Sequence, residues 1–159
     1  MKKKILITGS SGQLGSALLH TLSKDFNVLG TCKKCTQNQN MRKMDISVAI
    51  EVEAIFNSFN PDVVVNCAAY TSVDGSEINK ELAYNVNVKG LRNIIQNSSP
   101  TTYIIQISSD YVYDGKNAPY LESDHTYPVN YYGKTKLEAE NILRGSNREY
   151  LILRPNVLY

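Results

Sequence analysis

"KILITGSSGQLGSALLHTL", residues 4–22, decides how the rest of the chain is read. A short apolar, β-branched run over 3–8 stops at Gly9, which is how a buried strand ends. Apolar residues then recur at 14, 18, 19 and 22, the spacing of a helix over 12–25. Between the two lie Gly9, Gly12 and Gly15, in the pattern Gly-x-x-Gly-x-x-Gly. Gly9 lets the chain turn sharply, Gly12 leaves room beside the backbone, and Gly15 lets the helix pack close to the strand. A helix start reached this way offers unpaired N–H groups and a partial positive charge, which suits a diphosphate. A glycine-rich turn without a ligand is the bland alternative. The preceding strand and following helix supply the context that a dinucleotide cradle requires.

The same alternation continues outward. Strands are predicted over 27–32, weakly over 41–44, and over 62–69, 102–108 and 150–155. Helices are predicted over 47–59, 79–98 and 131–144, with 109–130 as loop. Strands such as "DVVVNCAA", apolar on both faces, belong in parallel sheets covered on each side by helices. The expected fold class is therefore α/β, a doubly wound parallel sheet of the Rossmann type. Its six strands are expected in the order 3-2-1-4-5-6, as one domain over 1–159.

With 159 residues, 42% of them hydrophobic, the chain can bury a core. A net charge of +2 gives no electrostatic case for nucleic acid or an anionic membrane. The apolar run behind "MKKK" stops at Thr8, too early for a signal core, and no stretch is long enough to span a bilayer. A cytoplasmic location is expected. Cys32, Cys35 and Cys67 are expected as ordinary free thiols, since neither His20 nor His125 completes a zinc site with "CKKC".

In such sheets ligands lie beyond the carboxyl ends of the strands. After the second strand stands "TCKK", with no acid to take a ribose hydroxyl; Lys33 there suits the 2′-phosphate of NADP, with NAD the alternative. Asp45 could accept from an adenine amino group or cap the helix that starts near Ser47. Ala68 and Ala69 would let a nicotinamide ribose lie on the backbone, or would simply pack under a helix. "SSDYVYDG" (108–115) ends an apolar strand in hydroxyls and an acid, which a sealed core would not want.

"NYYGKTKLEAE", residues 130–140, is not a phosphate loop, because Pro128 stands where that motif needs glycine. A helix brings residues four apart to one face, and Tyr132 and Lys136 have that spacing. A neighbouring ammonium is expected to lower the phenol from its ordinary value near 10. Such a phenol can give a proton to an alkoxide as hydride arrives. Ser109, at the same sheet edge, could hydrogen-bond the reacting carbonyl.

These motifs resemble the extended short-chain dehydrogenase/reductases, and within them the dTDP-4-dehydrorhamnose reductases. The resemblance runs through "TGSSGQLG", "MDIS", "PDVVVNCAAYTSVD", "ISSDYVYDG", "PYLESD", "PVNYYGKTKLEAE" and "LRP", essentially the whole chain. It implies an NADPH-dependent reduction of the 4-keto group of a nucleotide-linked deoxysugar, with Tyr132, Lys136 and Ser109 as catalytic residues. It implies that Gly9, Gly12, Gln13, Leu14 and Gly15 cradle the pyrophosphate and that Asp45 and Ile46 meet the adenine. Ala68, Ala69 and Tyr70 would meet the nicotinamide side, supported by Asn87, and Tyr111 would face the substrate. Dehydratases of the superfamily carry Thr-Asp-Glu where this chain has Ser109-Asp110-Tyr111, which argues for simple reduction.

Two departures stand out. Family members run to nearly twice this length, their later half supplying most of the sugar pocket, so a fragment or a cofactor domain lacking much of its substrate site is expected. "LRPNVLY" also replaces "LRTSWVYG", putting Val157 in place of a tryptophan. The regulatory β subunit of methionine adenosyltransferase is similar as well, sharing "ISSDYV" and "YGKTKL"; it binds NADP and acts as a partner protein. An inactive cofactor-binding fragment is the third alternative. The resemblance also implies a homodimer through the helices at 79–98 and 131–144.

Overall fold

The computed structural model describes residues 2–34 and 40–156. Six parallel strands form one sheet: β1 (Lys4–Thr8), β2 (Asn27–Cys32), β3 (Met41–Lys43), β4 (Val63–Asn66), β5 (Tyr103–Ile107) and β6 (Tyr150–Leu153). Their spatial order is β3-β2-β1-β4-β5-β6, the expected one. Leu6 of β1 is opposite Leu29 of β2 and Val64 of β4, so the most apolar strand lies at the centre.

Successive side chains of a strand point to opposite faces, and the core divides accordingly. Leu6, Leu29, Val64 and Ile104 meet Val52 and Phe56 of α2 (Ala49–Phe59), Leu91 and Ile94 of α5 (Gly90–Asn97), and Ala139 and Leu143 of α6 (Tyr131–Arg144). On the other face Ile5, Ile7, Val28 and Val65 meet Leu18, Leu19 and Leu22 of α1 (Gln13–Leu22). Helices thus cover the centre from both sides. At the β6 edge, Tyr150, Leu151 and Leu153 are exposed.

The single helix expected over 79–98 is not regular. It runs as α4 (Lys80–Tyr84), a π-helical turn (Asn85–Lys89) and α5, preceded by a short α3 (Val73–Ile78) that the sequence pattern did not indicate. A 3-10 turn (Asp110–Val112) lies inside the segment expected as loop. The fourth strand ends at Asn66, so Ala68 and Ala69 belong to the loop beyond it. Cys32 is disulfide-bonded, which corrects the free thiol expected there; Cys35 lies outside the described residues, and Cys67 is free. No helix among the described residues is long and apolar enough to cross a membrane.

Candidate active site

The glycine loop is shaped by close backbone approach. Gly9 has φ +64°, and a Cβ there would stand 2.7 Å from the Ala68 nitrogen. A Cβ on Gly15 would collide with the Gly9 carbonyl oxygen and stand 2.8 Å from the Ser10 Cα. Gly15→Ala is therefore expected to push α1 off the loop and cost about 1–3 kcal/mol, read as a lowered midpoint in urea denaturation. Gly12 is the N-cap of α1, and no side chain caps that helix start, which leaves its first N–H groups for a ligand.

Opposite the loop, α6 begins under three constraints. Asn130 accepts a hydrogen bond from the Gly133 N–H at 2.7 Å, and Glu77 of α3 accepts one from the Tyr131 N–H at 2.6 Å. Gly133 lets the helix lie directly on the Tyr111 carbonyl, which a Cβ would strike. The Tyr111 ring then meets the Tyr132 ring edge-on, centroids 5.7 Å apart. This fixes Tyr132, itself buried, at the mouth of a cleft.

That cleft holds about 490 Å³. It brings together Gly9, Gly12, Gln13, Leu14, Gly15, Ala69, Ser109, Tyr132 and Lys136. Ala68 packs against Gly9 beside it. Tyr111 lines a second, larger hollow of about 1140 Å³ on the outer side, and Pro155 and Asn156 line both. Lys33, Asp45 and Ile46 lie at the far end, beyond β2 and β3. Lys33 pairs with Asp45 at 2.7 Å, joining the two expected cofactor contacts. Asp45 also accepts from the Ser47 N–H and hydroxyl, which closes a turn ahead of α2; it does not cap that helix, whose N-cap is Val48 with no side-chain capping bond, so the capping alternative is not what the structure shows. Burial pushes its carboxyl up, but Lys33 and Ser47 together hold it below the ordinary value. The Ile46 side chain is buried against Gly90.

Asn87 is buried within the π-helical turn. Its amide accepts from the Tyr70 N–H at 2.8 Å and donates to the Tyr70 carbonyl and the Thr135 hydroxyl. It thereby clamps the loop after β4 onto α6. π-turns of this kind recur at functional sites.

The expected coupling of Tyr132 to Lys136 takes a different form. The Lys136 ammonium donates to the Ile107 carbonyl at 2.6 Å, at the exit of β5. Burial pushes Lys136 down to about 8, opposed by the charges of Glu140 and Cys67. Tyr132 is raised, not lowered: burial is the main cause, hydrogen bonding with Ser109 opposes it, and Asp110 and Tyr111 add to it. The phenol is thus fully protonated at neutral pH. Ser109 donates to Asp110 at 3.1 Å and accepts from the Tyr111 N–H at 3.2 Å, so its proton points away from the cleft until a better acceptor arrives.

A buried polar chain underlies these groups. The Ala68 N–H donates to the Thr8 hydroxyl at 3.2 Å, and Thr8 donates to Asn66 at 2.5 Å. Asn66 donates to Gln106 at 2.7 Å, and Gln106 donates to the same Ile107 carbonyl that holds Lys136. Thr8, Asn66 and Gln106 are neighbours in register across β1, β4 and β5. Cys67, Thr71, Ile107, Ser108, Pro155 and Asn156 also line the cleft without having been expected to. The strand-end rule would have found Pro155 and Asn156, which directly follow β6 and Arg154.

A glycine loop at the end of β1, facing a serine, a tyrosine and a lysine across one cleft, defines a short-chain dehydrogenase/reductase architecture with a dinucleotide-type cradle. The chain belongs to the RmlD substrate binding domain family, which matches residues 2–159. It is 37% identical to a dTDP-4-dehydrorhamnose reductase of Aggregatibacter actinomycetemcomitans over 95% of this chain and 50% of that protein. It is 35% identical to methionine adenosyltransferase 2 subunit beta of Xenopus tropicalis over 99% of this chain and 47% of that protein. Among solved structures, the dTDP-4-dehydrorhamnose reductase of Bacillus anthracis in complex with NADP superposes with a TM-score of 0.90 at 32% identity. That match covers 100% of this chain and 55% of that one. A UDP-glucose 4-epimerase of Brucella ovis shares the fold, with a TM-score of 0.86 at 24% identity over 96% of this chain and 51% of that one. The chain spans about half the length of the curated relatives it matches.

Proposed function

We propose that the chain is the cofactor-binding part of an NADPH-dependent reductase acting on the 4-keto group of a nucleotide-linked deoxysugar. One observation carries this: a single cleft joins the Gly9–Gly15 loop to Ser109, Tyr132 and Lys136. The uncapped start of α1 and the glycine faces fit a diphosphate, and the described relative from Bacillus anthracis is an NADP complex. NADPH would supply the hydride. The N–H groups of Gln13, Leu14 and Gly15 hold the diphosphate beside the bare Cα of Gly12, whose own N–H is taken by the Gly9 carbonyl. Asp45 and Ile46 lie toward the adenine, and Ala68, Ala69 and Tyr70 flank the nicotinamide. Lys136 holds the ribose, Ser109 turns its proton to the substrate carbonyl, and Tyr132 gives its proton to the oxygen as the C–O bond becomes an alcohol. Tyr111 and the outer hollow it lines take the sugar side. The location is cytoplasmic, and a homodimer forms through α4, α5 and α6.

The test is NADPH oxidation with dTDP-4-dehydro-6-deoxy-L-mannose. Turnover by the whole protein, with the 159-residue chain binding NADPH but turning over weakly, supports the proposal. A second reading is favoured by the 35% identity to the methionine adenosyltransferase subunit: a stable complex with a methionine adenosyltransferase, without turnover, would replace the reductase. Cofactor choice is tested separately. Lys33 is 62% exposed and already paired, so Lys33→Ala is expected to weaken NADP binding only about fivefold, the value of an exposed ion pair, and to leave NAD unchanged. Equal effects on the two cofactors, measured by calorimetry, would sink the 2′-phosphate assignment.

A further inference from the structure

Glu140 has no part in the reductase machinery described so far, yet it is one of the most heavily engaged side chains in the molecule. It is fully buried, and its carboxylate accepts from the Ser108 hydroxyl at 2.5 Å. It also accepts from Arg154 twice, at 2.9 and 2.6 Å, and pairs with Arg144 at 2.9 Å. Tyr132, Lys136 and Glu140 follow one another at four-residue steps along α6, so they share a face. Lys136 reaches the Ile107 carbonyl and Glu140 reaches the Ser108 hydroxyl, consecutive residues at the exit of β5. Ser109 comes next. Two charged side chains, one helical turn apart, thus pin α6 to the strand end that carries the chemistry.

We propose that Glu140 is a positioning residue for Lys136. Anchored by Arg154 and Ser108, it sets the phase of α6 that brings the ammonium to the Ile107 carbonyl, and it supplies the counter-charge that keeps a buried lysine charged there. The inference rests on Lys136 being the cofactor-side cation. A buried ammonium loses its hydration and needs compensation from within the protein. Among the described residues, the groups facing Lys136 are few: Cys67 beyond β4, the Ile107 carbonyl on β5, and Tyr132 and Glu140 on its own helix. Glu140 is the one carboxylate among them. Arg154 orients it from beyond β6, and the Arg154 guanidinium lies over the Tyr113 ring at 5.0 Å, which keeps that anchor in place.

The bland alternative is a salt bridge that merely ties α6 to the end of β6. The two differ in what happens to Lys136. In the 159-residue chain carrying 13C,15N-lysine, the Lys136 signal is followed from pH 6 to 11 by NMR. Its assignment comes from the signal lost in Lys136→Arg. The unaltered chain should titrate near about 8. In Glu140→Gln the acid constant of Lys136 is expected to rise at least about tenfold, moving its midpoint toward neutrality. Should the single variant unfold, the double variant Glu140→Gln with Arg154→Gln removes the stranded guanidinium and should displace the midpoint in the same direction by less, at least about threefold in the acid constant, because a cation leaves with the carboxylate. A midpoint unchanged within about twofold in a folded variant overturns the proposal and leaves the salt bridge as structural only. NADPH titration of the unaltered chain keeps the two questions apart: absence of binding defeats the cofactor reading, while the lysine midpoints still decide the role of Glu140.

Discussion

Tyr132→Phe is expected to slow NADPH-dependent carbonyl reduction by the whole protein about 100- to 10,000-fold, the usual worth of a positioned acid, while NADPH binding changes little. The reason is chemical economy. The ring stays, with its edge-on contact to Tyr111, and only the proton donor is lost. Because burial raises the phenol above its ordinary value, the donor is present across the neutral range. Any alkaline fall in rate near pH 8 would therefore report Lys136, which loses its charge there, and not Tyr132. Stopped-flow measurement of NADPH oxidation over pH 6 to 10 checks both statements. A variant that keeps more than a tenth of the rate would remove Tyr132 from the reaction.

Arg154→Ala is expected to be the most damaging change to stability. Glu140 is buried with Arg154 as its bidentate partner, and removing one member of a buried pair costs about 3–5 kcal/mol. A domain of ordinary stability has only about 5–15 kcal/mol in hand. Arg144 remains as a partner, but its side chain is 40% exposed and compensates little. The pH dependence has a definite sign. Burial pushes the Glu140 carboxyl up, but Arg154, Ser108 and Arg144 hold it below 4.5. A carboxylate depressed in the folded state stabilises above its unfolded value and loses that contribution as pH falls through the folded one. The gap between the unaltered chain and Arg154→Ala, measured by urea denaturation, should accordingly be full at pH 7 and shrink below about pH 4. A gap that persists in acid would mean that packing on Tyr113, not charge, is what the arginine contributes.

Much of this could be read from residue types. The strands were legible because Ile, Leu and Val cluster in runs too short for helices. The cleft was legible because the glycines, Ser109 and the Tyr132–Lys136 pair all fall at strand ends or on one helix face. What escaped the sequence has a common cause. Residues 73–78 form a helix with Ser76 as its buried residue, so no apolar period announces it. The π-helical turn depends on which carbonyl each N–H selects, and residue type does not record that choice. Four-residue spacing places Lys136 beside Tyr132 but is silent on what the ammonium touches. The Ile107 carbonyl wins because it lies within 2.6 Å and a buried cation needs an oxygen. Likewise the spacing of Glu140 was visible, whereas its partner Arg154, fourteen residues on, became one only through the β5–β6 pairing.

The chain of side chains from Thr8 through Asn66 to Gln106 has a consequence for the molecule in time. The donors all point the same way along it, so turning over one link leaves its neighbour without a partner. Thr8, Asn66 and Gln106 are buried in register on β1, β4 and β5, so solvent must part these strands to reach them. The labile protons held in this relay should therefore keep slow time, exchanging at the rate at which those strands open.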